Sequence, residues 1–236
     1  EITSGRGNIY DRNRNQLATN IQVESVYADP KSITDKNNTA RILATALKLN
    51  PKVVLKKLRS DRHFVWIKRK GEMNSVEKLK QLDLSGIGFI AEAKRYYPKR
   101  KLAASTLGFV GLDNQGLAGV EHFHQAVLKG NPQRSVLEKD ARGRFLWTAA
   151  YAQEINKGKR DVVLTLDEVI QFTAERELKK QVQEYQAKSG LAIVMDPFTG
   201  AIYALASAPE FNPNKYSAYP KSLWRNDAVA SAYEPG

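Results

Sequence analysis

The chain has 236 residues, 42% of them hydrophobic, which is enough for one large domain or two small ones around a buried core. Its formal net charge is +12 and it has no cysteine, which excludes a disulfide scaffold, a thiolate metal site and a thiol nucleophile but assigns no compartment. No apolar run approaches the roughly 18 residues of a membrane span, and no signal peptide opens the chain.

Residues 5–31 alternate apolar and polar around Ile21, Val23, Val26 and Tyr27, which predicts an extended arm with short strands. Residues 39–49 put Ile42, Leu43, Ala46 and Leu47 on one helical face, and Pro51 opens a second helix carrying Val54, Leu55 and Leu58. A third helix is predicted over 74–82, capped by Asn74 or Ser75. Residues 121–128 form a short fourth, stopped near Gly130 and Pro132. Residues 64–67 and 88–90 are short and β-prone enough to be strands.

Beyond a polar link at 156–159 the pattern changes. Residues 162–166 read as a strand and Asp167 as a helix N-cap, followed by Ile170, Ala174, Leu178, Val182 and Tyr185 on one stripe. Residues 191–196 and 201–207 flank Pro197-Phe198-Thr199-Gly200 as a hairpin. One helix and one hairpin enclose little core, so their apolar faces are expected to need cover from further chain or a second chain, or else to be loosely ordered. The fold class is α+β.

Residues 48–101 hold 16 lysines and arginines against 5 acidic residues. Such a block can be a nucleic-acid surface, a face for anionic phospholipid or an acidic glycan, or a solvated helical face. No zinc-finger spacing, RNP-like strand or helix-turn-helix pattern accompanies it, so no nucleic-acid partner is expected. His122 and His124 form a His-x-His pair on a helix without a third ligand, so no metal is expected, and His63 reads as a surface or packing residue. Asp11 with Asp29, or Asp196 with Glu210, could be imagined as glycosidase acids, but Asp196 precedes a proline in a turn, where a bond to the backbone is the simpler use.

Four blocks carry a resemblance. Residues 6–18 run Arg6-Gly7-Asn8-Ile9-Tyr10-Asp11-Arg12 and end Leu17-Ala18, with Arg14 or Asn15 standing where a glycine is usual. Arg95-Tyr96-Tyr97-Pro98 leads to Leu107-Gly108-Phe109-Val110-Gly111 and to Gly119-Val120-Glu121, and Asp140 opens an Asp-x-x-Gly-Arg turn. Leu164-Thr165-Leu166-Asp167, Ile170-Gln171 and residues 192–207 form the last block, and the chain closes on Glu234-Pro235-Gly236. Together these resemble the class B penicillin-binding proteins, and the close spacing of the second block resembles their division-type branch.

The resemblance implies an N-terminal pedestal over 1–158 and the opening of a serine β-lactamase-like transpeptidase domain over 159–236. It implies a peptidoglycan D,D-transpeptidase that cross-links stem peptides through a serine acyl-enzyme, is trapped by β-lactams and needs no cofactor. The serine is expected immediately after Gly236, so Glu234, Pro235 and Gly236 flank the site and no catalytic residue is assigned within the chain. The family further implies a single-pass inner-membrane anchor before Glu1, a periplasmic location, and a glycosyltransferase and other division proteins as partners. The alternative is a non-catalytic scaffold for division partners. Arg6, Asp11, Arg12, Arg95, Glu121 and Asp140 are expected to interlock in a charge-assisted network, and Gly7, Gly108, Gly111 and Gly119 to serve close backbone approach or positive φ.

Overall fold

The computed structural model describes residues 5–129 and 158–232. In chain order these form β1 (Ile9–Tyr10), β2 (Gln16–Ala28), α1 (Lys36–Leu47), α2 (Pro51–Leu58), β3 (Val65–Lys68), α3 (Met73–Gln81), β4 (Ile87–Tyr96), α4 (Ala104–Leu107), α5 (Gly119–Phe123) and α6 (Gln125–Lys129). Then come β5 (Val162–Val163), α7 (Glu168–Glu184), β6 (Gly190–Met195), β7 (Ile202–Ala208), two 3-10 turns at Pro213–Ala218 and Lys221–Trp224, and α8 (Asp227–Ala230). The chain divides into two compact units, one of residues 21–94 and one that joins the start of the chain to everything after residue 94.

In the 21–94 unit, β2 pairs antiparallel with β3, with Tyr27 opposite Trp66, and β4 also pairs with β2. Helix α1 begins where the Asp35 carboxylate accepts the N–H groups of Asn37 and Asn38, and it ends at Lys48 in the left-handed region. Asn50 caps α2 in the same way, with Pro51 at its first position. Of the predicted stripes, Leu43, Leu47, Val54 and Leu58 are buried with Val26, Ala28 and Ile67 of the sheet, while Ile42, Ala46 and Leu55 are partly buried at the edge of this core. Each fully buried leucine contributes about 1.5–3 kcal/mol of transfer free energy.

Three local expectations change here. The extended arm is one continuous 13-residue strand, β2. Helix α3 starts at Met73 and has Glu72 at its N-cap position without a side-chain cap bond, so neither Asn74 nor Ser75 caps it. The predicted strand at 88–90 is ten residues long, and its outer part carries the buried Glu92, which Arg69 and Ser25 bind. Those two partners outweigh the burial that would otherwise raise the Glu92 pKa and hold it below the usual carboxylate value.

In the other unit, β1 pairs antiparallel with the start of β2 and parallel with β5, so Ile9 lies opposite both Ala18 and Val162. Ile9, Leu17, Ala18, Tyr97, Leu107, Leu128 and Leu166 pack as its core. The expected strand over 162–166 shortens to two residues, because Leu166 turns inward and gives its carbonyl to Arg12 N–H. Residues 121–128 are split into two short helices, α5 and α6. The expected hairpin forms, with β6 antiparallel to β7, and Gly200 supplies φ +73 at its turn. An aromatic cluster in the same unit has Phe109 stacked on Tyr216 at 4.2 Å and edge-on to Trp224.

Helix α7 starts as predicted, with the Asp167 carboxylate accepting the N–H groups of Val169 and Ile170. Its stripe is only half-buried against the hairpin and Tyr185 is exposed. On β6, Leu191, Ile193, Val194 and Met195 are exposed, as the shortage of core anticipated.

Candidate functional site

The centre of the larger unit is a buried ionic cluster. Glu121, placed by α5, is fully buried, with Oε2 taking a hydrogen bond from Arg6 Nε at 2.8 Å and Oε1 from Arg95 Nε at 2.5 Å. Tyr97 adds its hydroxyl to Oε1 at 3.2 Å. The remaining donors of Arg6 reach the carbonyls of Glu121 and Asn114 and the Gln125 side chain, and Arg95 Nη1 reaches the carbonyl of Gly7. Two guanidinium groups therefore share one carboxylate, and among the described residues Arg95 Nη2 has no hydrogen-bond partner.

The electrostatics follow from that count. Burial lowers the Arg6 pKa despite Glu121, with Arg95 adding repulsion. Burial and Glu121 together raise the Tyr97 hydroxyl well above the ordinary phenol value, so it remains a donor. The cluster has the chemistry of a joint: it fixes the first residues of the chain against β4 and α5, and no group in it is placed as a nucleophile or a proton shuttle.

Asp11 and Arg12 belong to separate arrangements. The buried Asp11 carboxylate accepts N–H from Asn13, Asn15 and Glu168, and the Asn15 amide as well. It thus clamps its own turn onto the first turn of α7. Burial pushes this carboxyl up, but the donors of Asn15, Glu168 and Asn13 outweigh it and hold its pKa below the usual value. A depressed folded pKa stabilises fully above the unfolded value of about 3.9 and is lost as pH falls through the folded one. The stability advantage of wild type over Asp11→Asn should therefore be constant above about pH 4 and shrink below it. Thermal melts of both proteins between pH 2 and 7 check this, and a gap independent of pH contradicts it.

The Arg12 guanidinium lies over the Tyr203 ring at 4.3 Å, and the Tyr203 hydroxyl donates to Asp196. Asp196 also accepts Phe198 N–H, the turn role expected of it. Glu210 is held by Lys101 and Lys179, and Asp29 by Ser32, the Lys31 N–H and His63, so each proposed acid is occupied by local partners. The left-handed residue of the first turn is Arg14, with φ 66, and not Asn15. Asn15 instead spends its amide on Asp11.

The glycines divide by cause. Gly108 has φ 73 and ψ −153, and a Cβ there would fall on the carbonyl of Ala118. Gly119 has positive φ, Gly7 lies directly on the backbone of Arg160, and Gly111 abuts the Gln115 side chain. Asp140, Glu234, Pro235 and Gly236 lie outside the described residues. His122 sits on α5 with Nδ1 3.1 Å from the Gly116 carbonyl, and His124 ends that helix. No group of three potential ligand side chains converges among the described residues.

Two side-chain amides have roles that the sequence did not reveal. Buried Gln171 grips the backbone of Leu205 on β7 through both its oxygen and its nitrogen. Asn214 grips Tyr97 in the same two-way fashion. A polar residue beside an otherwise apolar helical stripe was the available signal for Gln171. A Ser-x-x-Lys spacing also exists within the chain, at Ser75 and Lys78 of α3. Lys78 there is exposed, so it lacks the desolvated setting of a catalytic lysine.

Residues 1–164 match the penicillin-binding protein dimerisation domain, and residues 190–236 match the penicillin-binding protein transpeptidase domain. The chain belongs to the penicillin-binding protein family. It is 30% identical over 243 residues to the peptidoglycan D,D-transpeptidase FtsI of Escherichia coli K12, covering all of this chain and 41% of that protein. It is 34% identical over 239 residues to a probable peptidoglycan D,D-transpeptidase, PenA, of Neisseria meningitidis serogroup A, again covering 100% and 41%. Stage V sporulation protein D of Bacillus subtilis is 34% identical over 98% of the chain and 36% of its own length. The chain thus spans about two fifths of the curated relatives it matches.

Among solved penicillin-binding proteins, Helicobacter pylori PBP2, in complex with MreC, aligns over 91% of this chain and 43% of its own with a TM-score of 0.63 at 24% identity. A peptidoglycan synthetase from Bifidobacterium adolescentis aligns over 100% and 48% with a TM-score of 0.58 at 23% identity. These likenesses show the mixed α+β fold of the family.

Proposed function

We propose that the chain is the front part of a division-type class B peptidoglycan D,D-transpeptidase, with a pedestal over 1–158 and the opening of the transpeptidase domain from 159. The observation that carries this reading is the clamp of Asp11 on the start of α7, with the Arg6, Glu121 and Arg95 cluster holding the same N-terminal segment. Motif residues from the family's N-terminal module there fix the first helix and hairpin of its transpeptidase module. The exposed apolar residues of β6 support the same reading, since a larger sheet would cover them.

In the proposed reaction a serine directly after Gly236 attacks the carbonyl of the penultimate D-alanine of a stem peptide. A lysine one helical turn on takes its proton, the C–N bond to the terminal D-alanine breaks, and that residue leaves as the amine. An amine of a neighbouring strand then attacks the acyl ester and releases the serine. The residues described here act by positioning: Gln171 fixes β7 to α7, and Asp167 and Asp11 hold the start of α7. An anchor in the inner membrane, a periplasmic location and division-complex partners, including a glycosyltransferase, belong to the same proposal.

The test is the intact mass of the natural protein before and after a β-lactam. One covalent adduct per chain is expected, together with release of D-alanine from a stem peptide ending in D-Ala-D-Ala. A natural protein that forms no adduct and releases no D-alanine would instead be the non-catalytic scaffold.

A further inference from the structure

Asn214 stands at the start of the 3-10 turn Pro213–Ala218, which Asn212 caps by accepting the Asn214 N–H on its Oδ1 at 3.0 Å. With its backbone fixed in this way, Asn214 spends both ends of its side-chain amide on one residue. Oδ1 accepts the Tyr97 N–H at 3.0 Å, and Nδ2 donates to the Tyr97 carbonyl at 2.9 Å. A neutral amide is the side-chain group that offers a donor and an acceptor together for such a two-way bond. Tyr97 is buried, and its hydroxyl donates to Glu121, so Asn214 holds the residue that also closes the ionic cluster.

From Asn214 the restraints continue along the chain. The Tyr216 ring stacks on buried Phe109 at 4.2 Å, and the Tyr216 carbonyl accepts the Trp224 Nε1–H at 3.1 Å. Trp224 meets the same Phe109 edge-on at 5.0 Å. Arg225 then donates from Nε to Asp227 Oδ1 at 2.7 Å and from Nη2 to Ser231 Oγ at 3.0 Å, and Asn226 caps α8 through the Ala228 N–H. Between β7 and Ser231 the described chain has two 3-10 turns and the four-residue α8 but no strand, so side-chain bonds carry much of its placement. Ser231 lies five residues before Gly236.

We propose that Asn214 is a positioning residue for acylation: it takes its reference from Tyr97 and, through Tyr216, Trp224 and Arg225, sets the place of the segment that delivers the serine. The role rests on the transpeptidase reading above; the line of bonds from Tyr97 to Ser231 does not. The physical reason is the narrow tolerance of attack on a carbonyl. The reacting atoms have to meet at about 3–3.5 Å, and a misplacement of about 1 Å that originates far from the chemistry costs about 100-fold in rate. Asn214 touches neither the serine nor the substrate in this proposal, so its effect falls on the rate of the covalent step more than on the binding that precedes it.

The test uses the full-length natural protein and follows its acylation by a chromogenic β-lactam over a range of concentrations. Asn214→Leu keeps the size of the side chain and loses both bonds to Tyr97. It should lower the limiting acylation rate about tenfold or more, while the half-saturating concentration changes less than about threefold. Trp224→Phe keeps an aromatic ring against Phe109 and loses the bond to Tyr216. It should act in the same direction, and the double variant should be no slower than the slower single, because both break one line of restraint. Leu47→Ala, in the core of the 21–94 unit, is the control: it should cost at least as much stability as Asn214→Leu and leave the acylation rate unchanged. Amide exchange over residues 215–231 should quicken in Asn214→Leu and not in Leu47→Ala. Wild-type acylation by Asn214→Leu, or equal slowing by Leu47→Ala, overturns the proposal. A wild-type protein that no β-lactam acylates sinks the transpeptidase reading and the positioning role with it, whereas amide exchange still reports whether Asn214 holds the segment.

Discussion

Replacing Glu121 with alanine should lower the free energy of unfolding by about 3–5 kcal/mol, the cost of leaving buried charge without its partner. Arg6 and Arg95 both spend their Nε donors on this one carboxylate, and both lie out of solvent. The loss is a large share of the roughly 5–15 kcal/mol that folded proteins possess, so the variant should be close to unfolded at body temperature. The origin of the loss can be separated from a simple cavity. In the Glu121→Ala background, a second change of Arg95→Met removes one uncompensated cation and should recover stability, although Arg95→Met alone is destabilising. Denaturant unfolding of the four proteins measures this; strictly additive losses would show that the charges do not depend on one another.

Gly108→Ala is expected to cost about 2–4 kcal/mol, from two effects at one atom. The backbone at φ 73 and ψ −153 lies in a region that is essentially restricted to glycine, and the new methyl would overlap the Ala118 carbonyl. The same carbonyl accepts the His122 N–H at the start of α5, so moving it disturbs the helix that presents Glu121. Unfolding of Gly108→Ala should therefore show a loss well beyond that of an alanine at Gly200, where positive φ is not joined by any neighbour. Equal losses at the two sites would mean that Ala118 yields and that only backbone strain matters.

The parts of this fold that were legible in the sequence are those governed by short periods. Helices α1 and α2, the Asp167 cap and the hairpin turn at Gly200 each follow from side chains within four residues of one another. The buried pairing of Arg6, Arg95 and Glu121 was legible only because motif blocks combined opposite charges. Its division from Asp11 and Arg12 was not, since Asp11 finds donors in its own turn and at Glu168, more than 150 residues away. The grips of Gln171 on Leu205 and of Asn214 on Tyr97 left no periodic trace, because an amide that bonds to backbone does not constrain the identity of its partner. Arg14 took the left-handed turn position for a related reason: Asn15 was worth more as a donor to Asp11.

The two compact units also explain why charge was hard to assign from sequence. The cationic stretch from 48 to 101 runs through both units, and its members have different fates. Arg95 is buried in the ionic cluster, Lys57 donates to the Trp66 and Ile67 carbonyls, Arg69 holds Glu92, and others are exposed without an ion pair among the described residues.

The residue at which a β-lactam acylates the natural protein tests the proposed transpeptidase most directly. After acylation, proteolysis and peptide sequencing by mass spectrometry, the adduct should lie on a serine immediately following Glu234, Pro235 and Gly236. An adduct on any other residue, Ser75 included, or no adduct at all, would contradict it.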